Sequence, residues 1–131
     1  MKTLVVDDLR PSSRVIQPIV GKYGQCDTVN ELRAIAEAFN KAWTDNTPYN
    51  LVCVDVKPPK VDGEQVLRLV RAMEEKMRLT AEQRARVILV TADYEQKTAE
   101  RLRNLGCDAV FVKPINRKQL QEWLTKLNLV E

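Results

Sequence analysis

Short apolar runs rich in β-branched residues alternate with helix-length segments along the whole of this chain, and few folds accommodate such an alternation. Five of these runs have the length and composition of buried strands. They lie at about residues 3–7, 25–29, 51–55, 87–90 and 109–112. Strands that alternate with helices pair in parallel through right-handed crossovers. The sequence therefore predicts an α/β domain built on one parallel, five-stranded sheet.

The segments between these runs carry apolar residues at helical spacing and predict five helices. The helices cover about residues 11–22, 31–43, 64–77, 95–105 and 117–129. Asn30 and Asn116 are predicted N-caps, and the stretch from Thr80 to Gln83 is a predicted capping box. Two helices on one face of the sheet and three on the other make a three-layer (βα)5 sandwich. We therefore predict the flavodoxin-like arrangement, with strand order 2-1-3-4-5.

Composition and charge predict a single domain over residues 1–131. The chain is 44% hydrophobic and 30% charged, which is ordinary for a globular protein. Its net charge of +3 comes from interspersed acids and bases, so no basic stripe for nucleic acid is evident. No apolar run nears the roughly 18 residues that a membrane span needs, and no secretory signal opens the chain. We therefore predict a cytoplasmic protein that binds neither nucleic acid nor membrane directly.

The absence of histidine narrows the chemistry that this chain can perform. It excludes histidine-based zinc sites and Ser-His-Asp triads. The three cysteines contain no C-x-x-C pair, and Cys53 and Cys107 are predicted to be small buried hydrophobes. A metal-dependent phosphatase or small flavodoxin-like enzyme is the more distant alternative, because no glycine-rich phosphate loop supports a substrate pocket.

Reactive side chains follow four of the predicted strands at the point where each strand ends. Asp7 and Asp8 follow strand one, Asp55 strand three, Thr91 strand four and Lys113 strand five. In open α/β sheets, ligands bind outside the carboxyl ends of the strands. Carboxylates gathered there repel one another, and a hard cation such as Mg²⁺ relieves the conflict. The set suits phosphoryl transfer to a carboxylate, with the metal and the lysine neutralising the transferring group.

Four stretches carry a resemblance to a known family. They are Val5-Val6-Asp7-Asp8, the run from Val52 through Asp55, Pro58 and Pro59 to Gly63, Val90-Thr91-Ala92, and Phe111-Val112-Lys113-Pro114. In this order and on these elements, they resemble the signature of response-regulator receiver domains, the phosphoryl-accepting modules of two-component signalling. Single-domain chemotaxis regulators are among the members that the chain resembles. The resemblance covers essentially the whole chain.

The resemblance implies a phosphoryl acceptor and a magnesium site. Asp55 would accept the phosphoryl group from the phosphohistidine of a histidine kinase or histidine phosphotransfer protein. Asp7, Asp8, Asp55 and the backbone carbonyl of Lys57 would hold Mg²⁺, although Asp8 could serve only through water.

The resemblance also assigns roles to the ends of the fourth and fifth strands. Thr91 would move to a phosphoryl oxygen, and Lys113 would pair with the phosphate. Ala92 would leave room for the attacking groups. The peptide bond between Lys113 and Pro114 would be cis, a form that is far less unfavourable before proline than elsewhere.

Each of these residues taken alone has a plainer interpretation. Asp7 and Asp8 could cap the first helix. Thr91 could simply end a strand, and Lys113 could be a surface lysine. None of these readings explains Asp55 as well, and the joint arrangement favours the phosphoryl site.

Three departures from the family pattern are visible. Val110 stands where the family usually has an aromatic residue that rotates on activation, and strand alternation directs Phe111 to the other face. The stretch between Asp55 and Thr91 is longer than usual, and Met77 to Arg86 fill the extra length. They are expected only to lengthen helix three as a neutral insertion, and a role in partner recognition is the less favoured alternative. Lys57 and Asp93 are hypothesised to form an ion pair that restricts the attacking water.

We therefore expect a stand-alone receiver that is not an enzyme with turnover. It would signal to a target protein through the face of helix four, strand five and helix five, and a homodimer stays open. The leading alternative is a receiver-like interaction module that works without phosphorylation, which only Val110 favours. A receiver excised from a larger protein is the other alternative.

Overall fold

The computed structural model describes residues 1–7, 16–55, 62–92 and 95–130. Its described part contains five strands in one parallel sheet. They are β1 (Thr3–Asp7), β2 (Cys26–Val29), β3 (Leu51–Asp55), β4 (Arg86–Thr91) and β5 (Ala109–Val112). Their spatial order is β2-β1-β3-β4-β5, and every neighbouring pair is parallel. The predicted flavodoxin-like sheet is confirmed.

Helices follow the strands in the predicted order. The described parts are α1 (Ile16–Val20), α2 (Leu32–Thr44), α3 (Gly63–Lys76), α4 (Gln96–Asn104) and α5 (Arg117–Lys126). Short 3-10 helices lie at Gly21–Tyr23 and Ala81–Gln83. The predicted start of α1 at Pro11 lies outside the described residues. No helix in the described ranges is long and apolar enough to span a membrane.

The sheet separates two apolar cores, because successive side chains of a strand point to opposite faces. One core joins alternate residues of the sheet to α1 and α5, through Ile16, Leu120 and Leu124. The other joins the remaining alternate residues to α2 and α3, with Leu102 and Leu105 of α4 packed against it. The predicted two-and-three division of the helices is confirmed.

The ends of the helices agree with the sequence in two of three places. The side chain of Asn116 accepts a hydrogen bond from the N–H of Gln119, as predicted for an N-cap. Gln83 likewise accepts from the N–H of Thr80 at 2.9 Å in the predicted capping box. The prediction for Asn30 is wrong: α2 begins one residue later, with Glu31 as N-cap, and within the described residues its side chain makes no capping bond.

The stretch from Met77 to Arg86 does not lengthen α3, so that expectation is wrong. The helix ends at Lys76, because Arg78 takes a left-handed conformation with φ 57°. The chain then turns back through a 3-10 helix into β4. Glu74, which is fully buried, accepts a hydrogen bond from the N–H of Ala85 at 2.7 Å. This contact packs the end of the inserted stretch against α3.

Candidate functional site

Two carboxylates stand side by side at the carboxyl edge of the sheet. Asp7 ends β1 and Asp55 ends β3, and the two residues are register partners across the parallel pair. Asp7 is 3% exposed and Asp55 is 0% exposed. A buried carboxylate costs several kcal/mol unless charges or hydrogen bonds compensate it. The fold therefore supports these two acids with nearby partners.

Lys113 provides such compensation for Asp55. Its Nζ lies 2.7 Å from Oδ1 of Asp55, and its side chain is 19% exposed. The backbone N–H of Lys113 donates to the carbonyl oxygen of Thr91 at 2.8 Å, which fixes the end of β5 against the end of β4. The peptide bond between Lys113 and Pro114 is cis, as the family resemblance implied. The ammonium of Lys113, just after β5, is thus held against the carboxylate of Asp55 at the end of β3.

Thr91 and Ala92 stand at the end of β4, the strand next to β3. Thr91 is half-buried and Ala92 is exposed. The structure thus brings Asp7, Asp55 and Lys113 together and places Thr91 next to Lys113 through the backbone. Asp8, Lys57 and Asp93 lie outside the described residues, so the ion pair between Lys57 and Asp93 stays a hypothesis.

Val110 leaves space beneath α4. A narrow cavity of about 60 Å³ is lined by Leu89, Thr91, Thr98 and Val110, among other residues. Phe111 lies in the other core, as strand alternation predicted, and its ring meets that of Trp123 edge-on at 6.2 Å. The aromatic side chain of β5 is therefore on the opposite face of the sheet from this cavity.

The oxygen ligands at the sheet edge suit a hard cation. Asp7 and Asp55 present paired, buried carboxylates, and Mg²⁺ is typically held by one or two carboxylates together with waters and phosphate oxygens. Within the described ranges no three acidic or thiol side chains form a metal-binding group. The other two predicted ligands, Asp8 and the carbonyl of Lys57, lie outside those ranges.

The cysteines take no part in this site. Cys53 and Cys107 are buried, which confirms their predicted role as small hydrophobes. Burial raises the pKa of the Cys107 thiol to about 11, although hydrogen bonds with the backbone oppose the shift. Burial also raises the pKa of the Cys53 thiol far above its usual range.

Sequence reasoning missed three features, of which the first two lie near Thr91 and the third at the opposite, amino-terminal edge of the sheet. Asp62 caps α3 by accepting from the N–H of Glu64 at 3.0 Å, a role that an aspartate before Gly63 could have signalled. Glu64 is paired with Arg101 of α4. The guanidinium of Arg71 joins three elements, and its partners are the carboxylate of Glu74, the carbonyls of Ala85 and Gly106, and Asp108. The last two features join segments that are distant in sequence, so no local sequence pattern predicts them.

Comparison with known proteins agrees with this geometry. A sequence profile described as "Response regulator receiver domain" matches residues 3–125. The chain belongs to this family, and is a receiver domain of the two-component and phosphorelay kind.

The curated relatives that the chain matches are much longer proteins. The chain is 29% identical over 126 residues to "Hybrid signal transduction histidine kinase L" of Dictyostelium discoideum, covering 95% of this chain and 7% of that protein. It spans 7% to 13% of the length of the first three curated relatives that it matches.

Two solved structures share the fold. The chemotaxis protein CheY4 of Vibrio cholerae has a TM-score of 0.70 at 18% identity, over 96% of this chain and 97% of that one. The beryllofluoride-activated NtrC4 receiver domain dimer has a TM-score of 0.75 at 18% identity, over 96% and 94%. At this identity the likeness shows the fold alone.

Proposed function

We propose that Asp55 is the phosphoryl acceptor of this receiver. The donor is the phosphohistidine of a histidine kinase or histidine phosphotransfer protein. The observation that carries the proposal is the buried carboxylate of Asp55, which is register-paired with Asp7 and lies 2.7 Å from the ammonium of Lys113. Asp7, Asp8, Asp55 and the backbone carbonyl of Lys57 would hold Mg²⁺, which supplies charge neutralisation for the phosphoryl oxygens.

The residues of the chain divide the work of the transfer. A carboxylate oxygen of Asp55 forms the bond to phosphorus as the bond from phosphorus to the histidine nitrogen breaks. Negative charge then lies on the phosphoryl oxygens, and Lys113 pairs with one of them instead of with Oδ1 alone. Thr91 donates its hydroxyl to another phosphoryl oxygen. Lys57 and Asp93, if paired, would restrict the water that removes the phosphate.

The phosphorylated domain signals through a protein surface. Movement of Thr91 toward the phosphate shifts a two-state equilibrium. We place the target's binding surface on α4, β5 and α5. Val112 of β5, 42% exposed, is the large hydrophobic residue that stands out as exposed among the described ones, and it offers an apolar contact there. A phosphorylation-dependent homodimer would use a surface of the same kind.

The covalent step changes the receiver itself, so this domain is not an enzyme that turns over a separate substrate. We place it in the cytoplasm, where its phosphoryl donors act. The curated relatives are many times longer than this chain, and the same chemistry serves a free-standing receiver or one within a larger protein.

Labelling with a small phosphodonor tests the proposal. With Mg²⁺ and acetyl phosphate, we expect intact-mass spectrometry to show the addition of one phosphoryl group, and Asp55→Asn to abolish it. Asp45→Asn, which removes an exposed carboxylate at the end of α2, is the matched control and should label normally. No labelling of the unaltered chain would instead favour a receiver-like module that works without phosphorylation.

A further inference from the structure

A cleft opens beside Thr91, between the helices α3 and α4. Its volume is about 260 Å³, and its floor is made of Val54 and Leu89 from the sheet. Thr91, Thr98 and Arg101 line the side toward α4. Thr91 also lines the smaller cavity beneath α4, so empty space adjoins this residue in two places.

The helix beside this cleft is lightly packed. Of the nine residues of α4, Ala99 alone is buried, while Leu102 and, just after the helix, Leu105 are partly buried against the core. A helix that buries so little apolar surface gains little stability from packing. Polar contacts at its exposed side therefore contribute an unusual share of what holds it in place.

An ion pair crosses the mouth of the cleft. Arg101 of α4 contacts the carboxylate of Glu64, which lies in the first turn of α3. Glu64 also accepts from Nε of Arg68 at 3.2 Å, but Arg68 lies on the same helix as Glu64 and spans nothing. The pair between Glu64 and Arg101 is thus a direct polar tie between α3 and α4.

Glu64 is held in its charged form. Partial burial opposes its ionisation, but the hydrogen bonds and positive charges of Arg68 and Arg101 outweigh that effect and lower the pKa of the Glu64 carboxyl. At neutral pH the tie is therefore fully ionised.

We propose that the ion pair between Glu64 and Arg101 is a clasp that holds α4 against α3 and opposes the change to the phosphorylated conformation. The regulatory half of this proposal, that the ion pair opposes the phosphorylated conformation, rests on the proposed function of Asp55. Thr91, Thr98 and Leu102 line both cavities, so a movement of Thr91 toward a phosphoryl group would change the space against which α4 packs. A contact that secures α4 in its present position resists this change, and by linkage its loss favours phosphorylation.

Hydrogen exchange of the unphosphorylated chain tests the clasp directly. In Arg101→Gln, we expect the backbone amides of residues 96–104 to exchange about two- to fivefold faster, the range for loss of an exposed ion pair. Glu64→Gln should give the same increase, and the double variant should add nothing further. Exchange in α5 should not change.

Matched variants separate the clasp from a general loss of charge. Arg68→Gln removes the other arginine of Glu64 without crossing the cleft, and Arg33→Gln breaks an exposed ion pair on α2. Neither should speed exchange in α4. Unchanged exchange in Arg101→Gln and Glu64→Gln, or an equal increase in Arg68→Gln, would overturn the clasp.

The regulatory half of the proposal is tested by a separate measurement, the rate of phosphorylation. The initial rate of phosphorylation by acetyl phosphate should rise about two- to fivefold in Arg101→Gln, in step with the exchange. Faster exchange with an unchanged phosphorylation rate would overturn the regulatory half alone. If even the unaltered chain accepts no phosphoryl group, the proposed function fails, whereas the exchange result still decides whether the clasp exists.

Discussion

The side chain of Asp55 has no exposed surface, yet its Oδ1 lies 2.7 Å from the ammonium of Lys113. The pair places opposite charges in a region where water screens them poorly, so each charge depends on the other. A site of this kind is costly to build for stability alone. The proposed function would account for it, because a phosphoryl group on Asp55 would find a cation already in place.

This dependence predicts a large coupling between the two residues. Lys113→Met should lower the free energy of unfolding by about 3 kcal/mol, because it leaves a buried carboxylate without its cation. In an Asp55→Asn background the same substitution should cost about 1 kcal/mol or less, because the buried carboxylate that Lys113 contacts is no longer charged. Urea unfolding of the four proteins measures both values. Equal costs in the two backgrounds would mean that the ion pair carries no such energy.

At the scale of single residues, the sequence predicts those parts of the site that the strand topology alone brings together. Asp7, Asp55 and Lys113 end apolar runs, and parallel strands bring those ends to one edge whatever the loops do. Glu64 and Arg101 could not be predicted, because each is an ordinary charged residue on an exposed helix turn. These two residues are paired because α4 packs beside α3, and the sequence does not show that packing.

Elements are joined in this fold by a few specific backbone conformations as well as by apolar packing. Gly106 ends the turn after α4 with φ 109°, a value that side chains other than hydrogen rarely allow. A Cβ at this position would also lie 3.0 Å from Nε of Arg71, whose guanidinium donates to the carbonyl of Gly106. The glycine therefore serves both the turn and the contact between α3 and β5.

We predict that Gly106→Ala lowers the free energy of unfolding by about 1–3 kcal/mol, from backbone strain and displacement of Arg71. Gly21→Ala is the matched control: a Cβ there meets nothing within 4 Å. Thermal unfolding of both variants measures the difference. A cost in Gly106→Ala no greater than in Gly21→Ala would contradict this account of the turn.

The elements also show where sequence patterns stop being informative. Helical spacing located α2 to α5, and Asn116 caps α5 as its position suggested. The inserted stretch after α3 forms the predicted capping box but does not lengthen α3, and its end is held by contacts of Ala85 with Arg71 and Glu74 that no local pattern shows. Contacts between residues that are far apart in the sequence produce no periodic pattern from which they could be predicted.

At the scale of the whole molecule, the order of the strands in the sheet brings the site residues together. With β1 and β3 adjacent at the centre, two acids become register partners, and β4 and β5 bring Thr91 and Lys113 from the same side. The order 2-1-3-4-5 was predicted as the flavodoxin-like arrangement of an alternating α/β chain, whereas the light packing of α4 appears only once the helices are placed. At the scale of the molecule, the proposed phosphoryl site adjoins one helix, α4, that buries little apolar surface.

A crystal structure with Mg²⁺ and beryllium fluoride tests this account most directly. We expect beryllofluoride bound to the carboxylate of Asp55, the metal bound by Asp7 and Asp55, and Nζ of Lys113 moved from Oδ1 to a fluorine. If Asp55 carried no adduct under these conditions, and Lys113 kept its present contact with Oδ1, the phosphoryl-acceptor account would be contradicted.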